Sequence, residues 1–216
     1  MVDVNGEFSF NRVVGARTEK RGYKTAKIIS DGKFTDGVGG GVCQVSTTLY
    51  NAVLLAGLKI TEYHPHSLSV SYVAPSFDAM VNSGSADLRF INTTNNPIIV
   101  YAFADGERLT IKIVGEPATE KYIRQSTVIG HIPAPDPEIV LDEKGEFPDL
   151  YQGETMVLSY GKDGLKSEGH LVVVKDGKTV SVKKIRSDTY KPLRGVVVEG
   201  KAPRPIIENL ENTETQ

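Results

Sequence analysis

The chain has 216 residues, of which 39% are hydrophobic and 24% charged, and its formal net charge is −2. This length suits one large domain or two small ones and is enough to bury a core. The charge argues against a nucleic-acid partner, and no apolar run approaches the roughly 18 residues of a membrane-spanning helix. The first residues have neither the basic region nor the apolar core of a signal peptide.

The first polar candidates lie in glycine-punctuated loops near the start of the chain. Arg17 lies in the segment VGART, and Tyr23 follows Arg21 and Gly22. A guanidinium can bind a carboxylate through two parallel hydrogen bonds. Arg17 and Tyr23 are therefore candidates for substrate binding, with a solvated loop position as the alternative.

An uncharged segment from residue 37 to residue 58 predicts a helix over roughly residues 42–56. Its apolar side chains recur three or four residues apart, which is typical of a helix buried on one side; they are Val45, Leu49, Ala52, Val53 and Ala56. Gly57 is placed to cap the C-terminal end.

Cys43 is the only cysteine, and it follows three glycines in the first turn of this predicted helix. Unpaired N–H groups at a helix N-terminus favour an anion, and they lower a thiol pKa from about 8.5 toward roughly 3.5–7.5. The backbone at Gly40, Gly41 and Gln44 is a candidate to bind a developing oxyanion. The alternative is a small, inert side chain packed under a turn.

Two histidines follow Cys43, at the entrance to a strand predicted over residues 68–73. His64 and His66 face the same side if the chain alternates as a strand, so either could accept the proton of the thiol. A zinc site formed by Cys43 and both histidines is a weaker alternative because a fourth ligand is missing. We predict no metal and no cofactor.

Two acidic residues are candidates to orient the histidine. Asp78 and Asp87 both follow the histidines, and a carboxylate bonded to an imidazole fixes its tautomer. A turn or a strand start is the alternative role for each of them.

Short apolar or alternating runs predict further strands over residues 87–92, 97–103 and 108–114. A helix followed by antiparallel strands is an α+β pattern. We therefore predict an α+β fold for residues 1–115, in which a buried, cysteine-bearing helix packs on an antiparallel sheet.

Three prolines between residues 132 and 137 predict an extended connector. Strands are predicted beyond it at residues 155–160, 170–175, 179–185 and 196–198, with a hairpin at Asp176-Gly177. These strands predict a small all-β extension over residues 116–205. The acidic, polar tail at residues 206–216 is predicted to be disordered.

Taken together, these residues resemble the VanW family. The resemblance is carried by GEFSFN at residues 6–11, GGGVCQVSTTLYN at residues 39–51, His66-Ser67, Asp78-Ala79 and Asp87-Leu88, and it extends to about residue 115. The rest of the chain resembles the small β extension that often follows this domain. One departure is Tyr63 after Glu62, where the family pattern has a basic residue.

The resemblance implies an extracytoplasmic protein of the bacterial cell envelope, related to vancomycin resistance. We expect attachment to the membrane only through an N-terminal anchor or signal segment absent from this chain. It also implies an L,D-transpeptidase-like enzyme that acts on peptidoglycan stem peptides. Cys43 would be the nucleophile and His66 the base, with Ser67 as a substrate-binding candidate. The alternatives are a papain-like peptidase or amidase acting on peptidoglycan, and a non-enzymatic cell-wall binding module.

Overall fold

A computed structural model describes residues 1–30 and 33–205. The predicted disordered tail, residues 206–216, lies outside the described residues. The described part has helices α1 (Phe10–Val14) and α2 (Val42–Leu55), a 3₁₀ turn (Glu19–Arg21), and the strands β1 (Glu7–Ser9), β2 (Thr25–Ser30), β3 (Lys33–Val38), β4 (Lys59–Glu62), β5 (Arg89–Ile91), β6 (Ile99–Asp105), β7 (Arg108–Val114), β8 (Lys121–Ile132), β9 (Glu138–Leu141), β10 (Thr155–Ser159), β11 (Gly164–Lys175), β12 (Lys178–Tyr190) and β13 (Val196–Glu199).

The described chain is mostly β, so the α+β prediction is correct only in part. The strands form several small sheets, in the orders β1-β5-β4, β2-β3, β6-β7, β12-β11-β8 and β10-β13-β9. Neighbouring strands are antiparallel except β13 and β9, which are parallel. Strands β11 and β12 have 12 and 13 residues, and α2, with 14 residues, is the longest described helix. The predicted all-β character of the extension is confirmed.

Helix α2 confirms the helix that was predicted from apolar spacing. It begins after Gly41, whose φ of 91° is left-handed and favours glycine, and Gly57 follows its end with a φ of 69°. Its buried face includes Leu49 and Val53, which are 2% and 0% exposed and join the main core. None of the helices in the described ranges is long and apolar enough to cross a membrane.

The strand predicted over residues 68–73 is wrong. Between β4 and β5 the chain has no regular element, although single side chains such as Leu68 and Phe77 are buried. Backbone groups in this segment find individual partners instead of a ladder: the Met80 N–H donates to the His64 carbonyl, and the Ala79 N–H donates to Thr47 Oγ1. The apolar alternation therefore reflects separate anchors in an irregular segment.

The described chain forms two compact units that are not consecutive in sequence. The first contains Met1–Ile132 and Asp163–Pro192, and the second contains Pro133–Lys162 and the chain from Leu193 onward. The division thus differs from the predicted split at residue 115. The reason lies in the first unit, where β8 pairs along β11 from Lys121 to Ile132 and keeps the β11-β12 hairpin with the preceding residues. Sheet β10-β13-β9 belongs to the second unit.

Candidate functional site

Cys43 is the second residue of α2, which confirms the predicted position in the first helical turn. Its side chain is half-buried, and Sγ lies 3.4 Å from the Val81 carbonyl oxygen, to which the protonated thiol can donate. The glycines before it are required by the backbone. A Cβ on Gly40 would lie 2.3 Å from Ala26 Cβ, and Gly41 has the left-handed conformation described above. The sequence GGG therefore lets the helix start close to β2.

The backbone N–H groups around Cys43 differ in their availability. The Gln44 N–H donates to the Gly41 carbonyl at 3.0 Å, so it is occupied, contrary to its predicted role toward an oxyanion. Among the described residues, none accepts a hydrogen bond from the N–H of Gly41 or of Cys43. Both donors lie at the positive end of the helix dipole and are available to an anion beside the thiol.

His66 lies between Cys43 and Asp78 and is only 5% exposed. Its Nδ1 is 2.7 Å from Asp78 Oδ2, and its backbone N–H donates to the same oxygen at 2.6 Å. The ring therefore has Nε2 left for the hydrogen bond with the Cys43 side chain. The structure thus brings together a thiol, an imidazole and a carboxylate in that order.

The environment of this row favours separated charges. Burial lowers the pKa of His66, but the hydrogen bonds with Asp78 and Cys43 and their charges outweigh it and raise the pKa to about 9. For Cys43, burial raises the pKa. The hydrogen bond with His66 and the charges of His66 and Arg17 nevertheless bring the pKa below its ordinary value. The two shifts both act in the direction of a thiolate–imidazolium pair.

Asp78 is held by residues that the sequence analysis did not identify. The Tyr190 hydroxyl donates to Asp78 Oδ1 at 2.6 Å, and Arg186 Nη1 donates to the Asp78 carbonyl at 2.7 Å. Both residues are on β12, more than 100 residues after Asp78 in the chain. Burial tends to raise the pKa of Asp78, but the bonds with His66 and Tyr190 and the charge of Arg186 lower it overall. Asp78 therefore stays ionised although it is buried.

Arg186 is a fully buried cation with several partners. Its Nε donates to Asp188 Oδ2 at 2.7 Å, and its guanidinium lies over the rings of Tyr50 and Tyr63, at 5.5 and 4.6 Å from their centroids. Burial lowers its pKa, but Asp188 and Tyr50 more than offset this, so Arg186 stays charged. Tyr63 therefore contacts a cation supplied by β12.

Two of the predicted site residues lie in other clusters. His64 Nε2 is 3.0 Å from Glu62 Oε1, and no described contact joins it to Cys43. Asp87 accepts hydrogen bonds from Ser9 Oγ at 2.6 Å and Arg89 Nε at 3.0 Å. Asp87 therefore ties the N-terminal segment to β5, and of the two acidic candidates only Asp78 contacts the histidine.

Arg17, Tyr23 and Ser67 have different surroundings. Arg17 is half-buried near the start of α2, bonds Asn11, and has its Nε buried without a partner among the described residues. Burial is the largest single effect on the pKa of Cys43 and raises it, whereas the charge of Arg17 helps to lower it. The Tyr23 N–H donates to a turn carbonyl, and the Ser67 carbonyl accepts from the Lys191 N–H at 2.7 Å. No described contact joins either of these two to Cys43.

A cleft of 610 Å³ runs along α2 from Gln44 to Leu55, next to the Cys43–His66–Asp78 row. Tyr72 connects the two features, because its ring lies edge-on to His66 at 6.4 Å and its hydroxyl is hydrogen-bonded to Thr47, which lines the cleft. Cys43 and Thr47, one turn apart on α2, lie on the same helical face.

In the described ranges, no group of three or more His, Cys, Asp or Glu side chains is arranged to hold a metal ion. The chemistry that these residues can perform is nucleophilic and acid–base.

Two family models match the chain. The model described as "VanW like protein" matches residues 1–114, and the model of the G5 domain matches residues 141–202. Cys43, His66 and Asp78 lie in the first range, whereas Arg186 and Tyr190 lie in the second.

Two curated relatives are similar to the N-terminal half. YoaR of Bacillus subtilis (strain 168), described as uncharacterized, is 46% identical over 121 residues, which are 56% of this chain and 40% of that protein. The vancomycin B-type resistance protein VanW of Enterococcus faecalis (strain ATCC 700802 / V583) is 29% identical over 120 residues, 53% of this chain and 42% of that protein. The matches thus span less than half the length of either relative.

Two solved G5 structures also match. The crystal structure of HP0197-G5 is 19% identical, covers 38% of this chain and 100% of its own, and has a TM-score of 0.20. The G5 domain of IgA1 protease is 24% identical, covers 41% of this chain and 99% of its own, and has a TM-score of 0.24.

Proposed function

Because this chain belongs to the VanW family, we propose that it is a cell-envelope cysteine acyltransferase that crosslinks peptidoglycan stem peptides, as an L,D-transpeptidase does. The observation that carries the proposal is the row Cys43–His66–Asp78 at a glycine-rich helix start. The VanW and G5 matches support a cell-wall-associated protein, and the name of the Enterococcus relative supports a setting in vancomycin resistance.

In the first half of the reaction, the Cys43 thiolate attacks the carbonyl carbon of a peptide bond in the donor stem. The carbonyl oxygen becomes an oxyanion, for which the N–H groups of Gly41 and Cys43 are donors. The carbon–nitrogen bond then breaks, the His66 imidazolium gives its proton to the departing amine, and a thioester remains on Cys43.

In the second half, a side-chain amine of another stem peptide attacks the thioester carbon. Neutral His66 takes a proton from this amine, and the carbon–sulfur bond breaks as a new amide forms. The thiolate and the imidazolium are thereby restored. Asp78 keeps His66 oriented in both halves, because it binds both Nδ1 and the backbone N–H of that residue.

The test is intact-mass analysis of the protein after incubation with purified muropeptides or a carbapenem. Wild-type protein should gain the mass of one acyl group at near-neutral pH, and the adduct should map to Cys43. The Cys43→Ala variant should gain none. Added acceptor amine should release the adduct as a crosslinked peptide.

Other results separate the remaining possibilities. Release of the donor peptide as a free acid, with no crosslinked product, would indicate a peptidase or amidase instead. The proposal fails if neither compound adds mass to wild-type protein whose Cys43 still reacts with iodoacetamide. A binding module would then be the better description.

A further inference from the structure

The cleft beside α2 is large enough for a peptide and contains one cationic group. Its volume of 610 Å³ lies within the range of about 300–1,000 Å³ that is typical of small-molecule sites. Its walls combine polar side chains, including Gln44, Thr47 and Asn51, with apolar ones such as Phe77. Arg124, on β8, is the charged residue of the lining, and no Asp or Glu is among the described residues that form it.

Arg124 is held in place by neutral partners. Its Nη1 donates to Asn51 Oδ1, and its guanidinium lies 5.5 Å from the centroid of the Phe77 ring. The Asn51 amide group is fixed in turn, because its nitrogen donates to the Thr47 carbonyl at 2.6 Å and to the Phe77 carbonyl at 2.9 Å. The buried Asn51 therefore presents its acceptor in one direction and orients the guanidinium.

The charge of Arg124 is not neutralised in the described structure. No carboxylate of the described residues forms an ion pair with it, and burial lowers its pKa without an opposing partner. Asn51 uses one of the five N–H donors of the guanidinium, so others can take a carboxylate side-on. Arg186 differs in this respect, because it is fully buried and paired with Asp188.

The spacing along α2 between Cys43 and Asn51, the partner of Arg124, gives a scale for the distance from the thiol to such a carboxylate. Asn51 is eight residues after Cys43, so it lies about 12 Å further along the helix axis. In a stem tetrapeptide cleaved after its third residue, the α-carboxylate of a γ-linked D-glutamate is seven bonds from the attacked carbonyl, or about 9 Å when extended. Adding an approach distance of about 3 Å between sulfur and carbonyl carbon gives about 12 Å, which matches the distance along the helix.

We propose that this cleft binds the acyl-donor peptide, and that Arg124 pairs with a carboxylate of that peptide about 12 Å from the thiol. The choice of peptide rests on the proposed function. The stem peptide has two carboxylates of the same chemistry, one on the D-glutamate and one at its C-terminus. The C-terminal one is three bonds from the attacked carbonyl, about 4 Å, which is too short to reach Arg124. The D-glutamate carboxylate is the one whose distance fits.

The test is a calorimetric titration of the full chain carrying Cys43→Ala, which prevents turnover. The probes are the tetrapeptide L-Ala-γ-D-Glu-L-Lys-D-Ala, its isoglutamine form and its C-terminal amide. Loss of one charge-assisted pair at this exposed site should weaken binding about tenfold. We expect that loss with the isoglutamine form, and with Arg124→Gln added to the protein. Lys121→Gln, which removes an exposed charge from the same strand, should leave the Kd unchanged.

Each result decides the proposal. Arg124→Gln and the isoglutamine form should each weaken binding. If the variant binds the isoglutamine form no more weakly than either change alone allows, Arg124 pairs with the D-glutamate carboxylate. If the C-terminal amide shows this behaviour instead, Arg124 pairs with a carboxylate too near the attacked carbonyl for that carbonyl to reach Cys43, and the proposal is overturned. Equal binding of all three peptides, no effect of Arg124→Gln, or no binding at all overturns the proposal. Because the readout is a Kd, carboxylate-dependent binding without an acyl adduct in wild type would overturn the proposed reaction only.

Discussion

The Tyr190 hydroxyl donates a 2.6 Å hydrogen bond to Asp78 Oδ1, while the other oxygen of that carboxylate binds His66. A residue near the end of β12 thus holds the group that orients the histidine beside Cys43. The properties of the thiol therefore depend on a strand outside the range of the VanW model.

Tyr190→Phe should raise the pKa of Cys43 and slow its alkylation by iodoacetamide several-fold at pH 6–7. The variant removes a buried hydrogen bond that fixes Asp78, so the carboxylate positions His66 less firmly beside the thiol. Stability should fall by about 1–3 kcal/mol, because a buried acceptor loses a partner. The measurement is the alkylation rate against pH, with Tyr101→Phe on β6 as an exposed control. An unchanged pH profile would show that Tyr190 has only a structural role.

His66→Ala should move the pKa of Cys43 up to the value of about 8.5 for a free thiol, or above it. The variant removes the hydrogen bond and the charge that overcome the effect of burial on the thiol. Alkylation at pH 6 should then fall by more than tenfold, as measured by intact mass over time. His64→Ala is the matched control and should behave as wild type, because His64 is bonded to Glu62. The reverse pattern would assign the base to His64.

Asp78→Asn should cost about 3 kcal/mol of unfolding free energy, since it breaks a buried charge pair and leaves Arg186 with one carboxylate fewer. It should also slow alkylation near neutral pH, because an amide holds an imidazolium less well than a carboxylate does. Denaturant unfolding measures the first effect. Asp87→Asn is a buried control that should destabilise the chain while leaving Cys43 reactivity unchanged, and a loss of reactivity there would point to a general packing effect.

The contribution of His66 to the stability of the fold should decrease as pH rises. Its pKa is raised from 6.5 to about 9, so its charged form stabilises the fold fully below pH 6.5, and this contribution is lost as pH rises through about 9. The Cys43→Ala variant lacks one of the partners that raise the pKa of His66. In that variant the stabilisation by charged His66 should therefore be lost completely at a lower pH. Unfolding free energies of Cys43→Ala with and without His66→Gln, measured from pH 6 to 9, should converge as pH rises. A constant difference would contradict the raised pKa.

The sequence predicted α2 and the place of Cys43 well because both depend on neighbouring residues. Apolar spacing within 15 residues marks the buried face, and glycines with left-handed φ mark the two ends. The geometry of His66 could be anticipated only in part, because the segment after β4 is irregular and its alternation resembled a strand. A shared face for His64 and His66 followed from that false alternation.

Arg186 and Tyr190 could not be identified because their roles arise from tertiary packing over a long sequence separation. Within the alternating run of β12 they look like ordinary strand residues, and nothing local indicates that one neutralises Asp78 while the other donates to it. The two compact units could not be anticipated for a similar reason. The chain returns to the first unit at residue 163 because β11 pairs with β8.

The hydrogen bond between Asp78 and Tyr190 spans 112 residues and therefore has a consequence during synthesis. Chains emerge from the ribosome N-terminus first, at about 5–20 residues per second. A nascent chain that has reached residue 115 already contains Cys43, His66 and Asp78, but the two groups that fix the carboxylate are still to be added. The Asp78 carboxylate therefore gains its partners on β12 only when that strand joins the sheet, several seconds later at these rates. The order of translation thus delays the completion of the hydrogen bonds around Asp78 until the first unit is nearly complete.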